Sequence, residues 1–327
     1  MIAAVTGASG HVGAALSRAL LAAGDTVRLL VREDTRGLEG LDAERFRADL
    51  TDPESLRRAF RGAEIVYHLA AFISLDRRNT EAMRRVNVEG TRHVIRACRD
   101  CSVRRLIHFG SIEALADLKS LKPTDESNPL AGPRDTTKYG LTKAEAVRLV
   151  MKAVKEDLDA VILLPTAIVG PHDYKPSHLG RALLDLYHKR LPALIRGGFN
   201  WVDVRDLAEA TIAAGHRGRR GERYILSGTW KSIAQMAELV GEVTGRDGTR
   251  PVLPVWAARA AAGIVGGLPG LGARYPAFTP EALIAIGKHR EISCAKARAE
   301  LDYRPRPLVQ TLRDTFRWFE EQGFLSD

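Results

Sequence analysis

Short aliphatic runs and longer amphipathic stretches alternate along the first two-thirds of the chain. Ile2–Thr6, Thr26–Val31, Ile65–Leu69, Arg105–Gly110 and Ala160–Leu164 are each bounded by polar residues, proline or glycine, and predict buried strands. Tyr224–Leu226 is a plausible further strand. Between them, helical patterns run over Val12–Ala23, Pro53–Phe60, Thr80–Arg99, Lys138–Lys155 and Val204–Ala214. Such alternation predicts an α/β fold with a doubly wound parallel sheet covered by helices on both faces. After Pro165 the regularity fades. Pro171, Pro176 and Pro192 punctuate the way to Phe199, and a largely helical tail follows from Ser232. There is no internal repeat.

The turn after the first strand changes the picture. Thr6-Gly7-Ala8-Ser9-Gly10-His11-Val12-Gly13 joins that strand to the first helix, with glycines at 7, 10 and 13. A tight turn needs backbone freedom, a pyrophosphate approaches only where no side chain intervenes, and a third glycine lets helix and strand pack closely. Glycine also serves plain turns, but this placement predicts a Rossmann-type nucleotide cradle at the positive end of a helix. We therefore expect a dinucleotide-binding domain over residues 1–169, rejoined by 201–231. A smaller, discontinuous substrate lobe is expected from 170–200 and 232–327.

The end of the second strand bears on which dinucleotide binds, because an acid there suits NAD and repels the extra phosphate of NADP. Leu30-Val31-Arg32 closes that strand without an acid, and Arg32, with Arg36, suits a ribose phosphate. NADP is expected, with NAD possible through Glu33. Asp49, after a third strand, suits either the adenine amino group or an ordinary helix cap.

Composition narrows the function classes. The 327 residues carry 49 Lys and Arg against 40 acids, a net charge of +9. The arginines are scattered and often sit beside acids, as in Arg32-Glu33 and Arg313-Asp314, so no nucleic-acid surface is expected. The most apolar stretch, Val252–Leu271, is broken by Pro254, Arg259 and Pro269 and reads as buried helix or lid rather than a membrane span. Three cysteines, Cys98, Cys101 and Cys294, are too few for a disulfide scaffold. With a first strand beginning at Ile2 and no room for a targeting segment, a cytoplasmic location is expected. Nine histidines show no ligand spacing, and no metal is expected.

Tyr139 and Lys143 lie four residues apart on a predicted helix, hence on one face. A cation beside a phenol favours the phenolate and brings proton exchange closer to neutral pH, although such a pair is often an incidental neighbour. Taken with the glycine loop, His68-Leu69-Ala70-Ala71, Asn87 in Val86-Asn87-Val88-Glu89-Gly90-Thr91, Ser111 and Pro165, the chain resembles the extended short-chain dehydrogenase/reductase family over nearly its whole length. The resemblance implies that Tyr139 is the acid/base, that Lys143 lowers its pKa and holds the nicotinamide ribose, that Ser111 binds the substrate oxygen, and that Asn87 supports the site. It also implies cofactor contacts at Gly7, Ser9, Gly10, His11, Val12, Gly13, Arg32, Asp49, Leu50, Leu69, Ala70, Ala71, Tyr139, Lys143 and Pro165. Two positions depart from the pattern: Gly110 stands where many relatives carry a serine, and Thr142 replaces the usual serine before the lysine.

Family members include nucleotide-sugar epimerases and dehydratases, hydroxysteroid dehydrogenases, and aldehyde or dihydroflavonol-type reductases. The arginine that clamps a sugar diphosphate aligns with Gly197, although Arg196 is one residue away. Arg104–Leu115 and the Val31-Arg32 strand end are most similar to the dihydroflavonol and aldehyde reductases, and Phe199 and Trp201 suit an apolar or aromatic substrate. The expected activity is NADP-dependent reduction of a small molecule's carbonyl. The alternatives are a sugar-nucleotide epimerase or dehydratase and a dinucleotide-sensing protein without turnover. Helices Thr80–Arg99 and Lys138–Lys155 correspond to those that often pair relatives as homodimers.

Overall fold

The computed structural model describes residues 1–117, 122–246, 250–260, 279–288 and 291–326. Its strands are β1 (Ile2–Thr6), β2 (Thr26–Val31), β3 (Glu44–Arg47), β4 (Ile65–His68), β5 (Arg105–Phe109), β6 (Ala160–Pro165), β7 (Ala167–Val169), β8 (Leu194–Ile195), β9 (Gly198–Asp203), β10 (Arg223–Leu226), β11 (Thr229–Ser232) and β12 (Val252–Leu253). Seven of them form one parallel sheet in the order β10-β6-β5-β4-β1-β2-β3. The chain therefore leaves β1 toward β2 on one side and returns to β4 on the other. The crevice between those two strand ends is where a sheet of this kind receives its ligand.

The helices are α1 (His11–Ala22), α2 (Pro53–Phe60), α3 (Thr80–Arg84), α4 (Gly90–Asp100), α5 (Lys138–Lys155), α6 (His178–Tyr187), α7 (Val204–Arg217), α8 (Ile233–Thr244), α9 (Pro280–Ala285), α10 (Ala295–Leu301) and α11 (Leu308–Glu321). Alternate strand residues serve opposite faces, as the two-residue strand period requires. Val5, Tyr67, Ile107 and Leu163 pack beneath α1 and α7, whereas Ala4, Val66, Leu106 and Ile162 pack beneath α2, α4 and α5. Burial on both sides explains why these strands read as continuous apolar runs.

A second core joins Val169, Trp201, Leu183, Met236, Leu312, Phe316 and Phe319 beside the three-stranded sheet β11-β9-β7. Asp203, wholly buried at the end of β9, is tied to Arg205, which also reaches Asp314 of α11 at 2.8 Å. Of the apolar stretch Val252–Leu271, most lies outside the described residues, and Trp256 near its start is 75% exposed. Among the described residues, no helix is long and apolar enough to cross a membrane and no cluster of metal-ligating side chains occurs. The expected Thr80–Arg99 helix differs from expectation in one respect. Between α3 and α4 the backbone widens into a π-helical turn, Arg85–Glu89, which contains Asn87.

Candidate active site

The glycines of the first turn are required by contact as well as by conformation. Gly7 has φ +71°, and a Cβ there would lie 2.7 Å from the Ala70 nitrogen. A Cβ on Gly13 would lie 2.1 Å from the Gly7 carbonyl oxygen, so α1 starts hard against the end of β1. Gly10, the N-cap of α1, is exposed and supplies no side-chain cap, and the first turn of the helix carries no acid. A helix start with no side-chain cap and no acid in its first turn fits a pyrophosphate. The Ala70 amide donates to the Thr6 hydroxyl at 3.2 Å, which brings Leu69 and Ala70 beside this turn.

Other predicted cofactor residues line the same edge. Arg32 follows β2 with its side chain 75% exposed, 3.9 Å from Asp49. Asp49 does not cap α2; that role falls to Asp52, which accepts the amides of Glu54 and Ser55. Instead Asp49 accepts from the amide and hydroxyl of Thr51 at 2.7 Å, which lowers its pKa despite burial. Leu50 is buried below, its carbonyl accepting from His93. The ring of His11 turns away from the loop and contacts the carbonyls of Gly170 and Pro171 at 3.1 and 3.0 Å. Pro165 lies at the carboxyl end of β6, paired with Leu226.

The opposite wall starts at α5. Thr137 caps this helix through the Gly140 amide, and Tyr139 and Lys143 follow on its first turns. The Tyr139 hydroxyl stands near that of Ser111, which follows β5 and accepts the Glu113 amide at 3.2 Å. Burial raises the Tyr139 pKa, nearby Glu113 raises it further, and Ser111 opposes them. Lys143 is 4% exposed and its ammonium donates to the Phe109 carbonyl. Burial lowers its pKa to about 8. Both shifts favour the uncharged forms, a protonated phenol and a more readily deprotonated lysine, because both groups are withdrawn from water. Gly110 fits by packing: a Cβ there would meet Leu164 at 2.6 Å.

Asn87 acts through others. Its side chain accepts the Phe72 amide at 2.7 Å and donates to the Phe72 carbonyl at 2.9 Å and to the Thr142 hydroxyl at 3.0 Å. It therefore fixes the β4–α3 connection to the helix that carries Tyr139. Phe72 and Ile73 on that connection are 36% and 49% exposed. Behind this wall His68 bridges the hydroxyls of Thr6 and Thr91, and burial holds its pKa at about 3. Beside it His108 is neutral for the same reason, and both its ring nitrogens lack a partner.

Sequence reading missed Phe72 and Glu113, and it noted Thr142 only as a replacement for serine, not as the partner of Asn87. The signal for Glu113 was present: an acid two residues past Ser111, inside the apolar run Ile112–Ala116, has nowhere to point but inward. Its carboxylate accepts from the hydroxyls of Thr136 and Thr137 at 3.2 and 3.4 Å, and burial raises its pKa.

A glycine cradle at the β1/β4 switch point, facing a tyrosine–lysine helix and a serine at a strand end, defines an NAD(P)-dependent enzyme of the extended short-chain dehydrogenase/reductase class. Residues 3–227 match the NAD dependent epimerase/dehydratase family, and the chain belongs to it. It is similar to sterol demethylase protein B of Methylococcus capsulatus, at 35% identity over 98% of this chain and 99% of that protein. It is also similar to the 4-hydroxy-2-methyl-3-oxo-4-farnesyl-3,4-dihydroquinoline-1-oxide ketoreductase of Stigmatella aurantiaca, at 32% identity over 96% of this chain and 95% of that protein. The crystal structure of gox2253 superimposes with a TM-score of 0.86 at 33% identity, covering 99% of both chains.

Proposed function

We propose that the protein reduces the carbonyl of a small apolar or aromatic molecule, using NADP. The observation that carries this reading is the half-buried Tyr139 on the first turn of α5, near Ser111 and one turn from the buried Lys143, because reduction of a carbonyl needs a proton donor at its oxygen. A bound nicotinamide cofactor supplies the hydride that goes to the carbonyl carbon. Gly7, Gly10 and Gly13 hold the pyrophosphate, Ser9, His11, Val12, Leu69, Ala70 and Ala71 border it, and Asp49, Leu50 and Pro165 complete the cradle. Arg32 meets the ribose phosphate through its exposed guanidinium.

Ser111 orients the substrate oxygen, Tyr139 gives its proton to that oxygen, and Lys143 one turn on stabilises the phenolate left behind. Residues 1–169 with 201–231 serve the cofactor, and 170–200 with 232–327 serve the substrate. Phe72 and Ile73, exposed on the connection that Asn87 holds, give an apolar rim. Two relatives are named for a sterol and for a farnesylated dihydroquinoline oxide, both ring systems with extensive apolar surface.

The test is oxidation of NADPH against a panel of aromatic, terpenoid and steroidal aldehydes and ketones, with Tyr139→Phe as control. Turnover that vanishes in the variant supports the reading. Unchanged turnover in the variant, or isomerisation of a nucleotide sugar without net oxidation of the cofactor, overturns it.

A further inference from the structure

The run leading into the helix of Tyr139 is gripped from two sides. From the sheet, Glu113 takes the hydroxyls of Thr136 and Thr137. From the carboxyl-terminal part of the chain, Glu281 of α9 accepts the Lys138 amide at 3.0 Å with one oxygen and the Arg77 Nε at 2.6 Å with the other. The side chain of Glu281 is only 4% exposed, while that of Arg77 is 59% exposed. A second tie runs alongside, from the Lys288 ammonium to the Asp135 carbonyl.

The position of α9 is itself well determined. The Gly198 amide donates to the Ile286 carbonyl at 3.2 Å, and Leu283 and Ile286 pack with Ile195 and Ala258. Gly197 has φ +143°, and a Cβ there would lie 2.6 Å from Ile286, so a side chain would push α9 away from β9. This contact accounts for glycine at that position without reference to any ligand.

Lys138 is the first residue of α5, and its amide has no partner within the helix. A carboxylate at that point satisfies the amide and complements the helix dipole. Its burial is tolerable because the Arg77 guanidinium offsets the charge. Arg77 belongs to the same β4–α3 connection as Phe72 and Ile73. Glu281 therefore joins three walls of the cleft: the apolar rim, the start of the Tyr139 helix and the carboxyl-terminal segment.

We propose that Glu281 is a positioning residue, which fixes the first turn of α5 from across the cleft and so places the Tyr139 hydroxyl for proton transfer. This rests on the reading of Tyr139 as proton donor. Glu281→Ala is expected to lower kcat about tenfold to a hundredfold with the KM for NADPH changed less than about twofold, as for a misplaced rather than a missing group. Amides 138–141 then exchange with solvent faster than in the native protein. Glu281→Gln keeps an acceptor for the Lys138 amide and restores kcat to within about threefold of native.

Unchanged kcat in Glu281→Ala overturns the proposal, as does equal loss in the Ala and Gln variants. Should Glu281→Ala fail to fold, Glu281→Asp decides. It keeps the charge but draws the carboxylate back by one methylene, and kcat must fall with the KM for NADPH preserved. Exchange at 138–141 needs no turnover. If the native protein reduces no carbonyl, faster exchange in Glu281→Ala still supports the tie and unchanged exchange overturns it, while the reductase reading falls by itself.

Discussion

The two walls of the cleft are made of different material. Around α1 the protein offers backbone: glycines pressed against main-chain atoms and a helix start with no side-chain cap. Around α5 it offers side chains, held by others: Thr142 by Asn87, Thr136 and Thr137 by Glu113, and Lys143 by the Phe109 carbonyl. A backbone wall recognises what every dinucleotide shares. A side-chain wall can be altered one residue at a time, which is how one fold serves many substrates.

Breaking the side-chain wall should leave the other intact. Tyr139→Phe is expected to reduce kcat by about 10²- to 10⁴-fold, while NADPH affinity by fluorescence titration stays within about twofold. Loss of both together would mean that the walls are not separable. The converse is Gly13→Ala, whose methyl meets main-chain oxygen that cannot move aside. A loss of about 3 kcal/mol or more in urea unfolding, with weakened NADPH binding, is expected.

A third prediction sharpens the contrast through pH. Burial holds Lys143 at about 8 instead of 10.5, so between those values the unfolded chain binds a proton that the folded chain has released. Stability from this group therefore rises with pH across that window, and below it the burial cost is constant. Between about pH 8 and about pH 10.5 the native protein should gain about 3 kcal/mol relative to Lys143→Met, measured by urea unfolding without cofactor. A flat difference would show that Lys143 is not desolvated. Across the same rise from about pH 8, kcat/KM should fall as the ammonium is lost.

The smallest effect concerns a side chain in the backbone wall. Arg32→Ala should weaken NADPH about tenfold and leave NADH nearly unchanged, the cost of one charge-assisted hydrogen bond. Equal weakening of both would place Arg32 elsewhere than on the ribose phosphate.

The same contrast governs how much was legible in the sequence. The glycine turn, the seven-strand alternation and the Tyr139–Lys143 pair depend on local spacing, which the chain displays directly. The ties of the second wall depend on partners far away: Arg77 and Glu281 are 204 residues apart, and Lys138 and Glu281 143. The π-helical turn at Asn87 escaped because one wide turn barely disturbs a twenty-residue helical pattern. Asp49 looked like a cap because two aspartates precede α2, and only geometry shows that Asp52 takes the amides. Tyr139 lies on the helix predicted for it, but the groups near its hydroxyl, Glu113 and Ser111, come together only through the fold.

One contact has an evolutionary corollary. With the Gly7 oxygen wedged into the space where a Gly13 methyl would stand, the nucleotide turn tolerates almost no sequence drift. If Arg32 meets a ribose phosphate, a change of coenzyme preference falls on that exposed strand end and not on the packed turn.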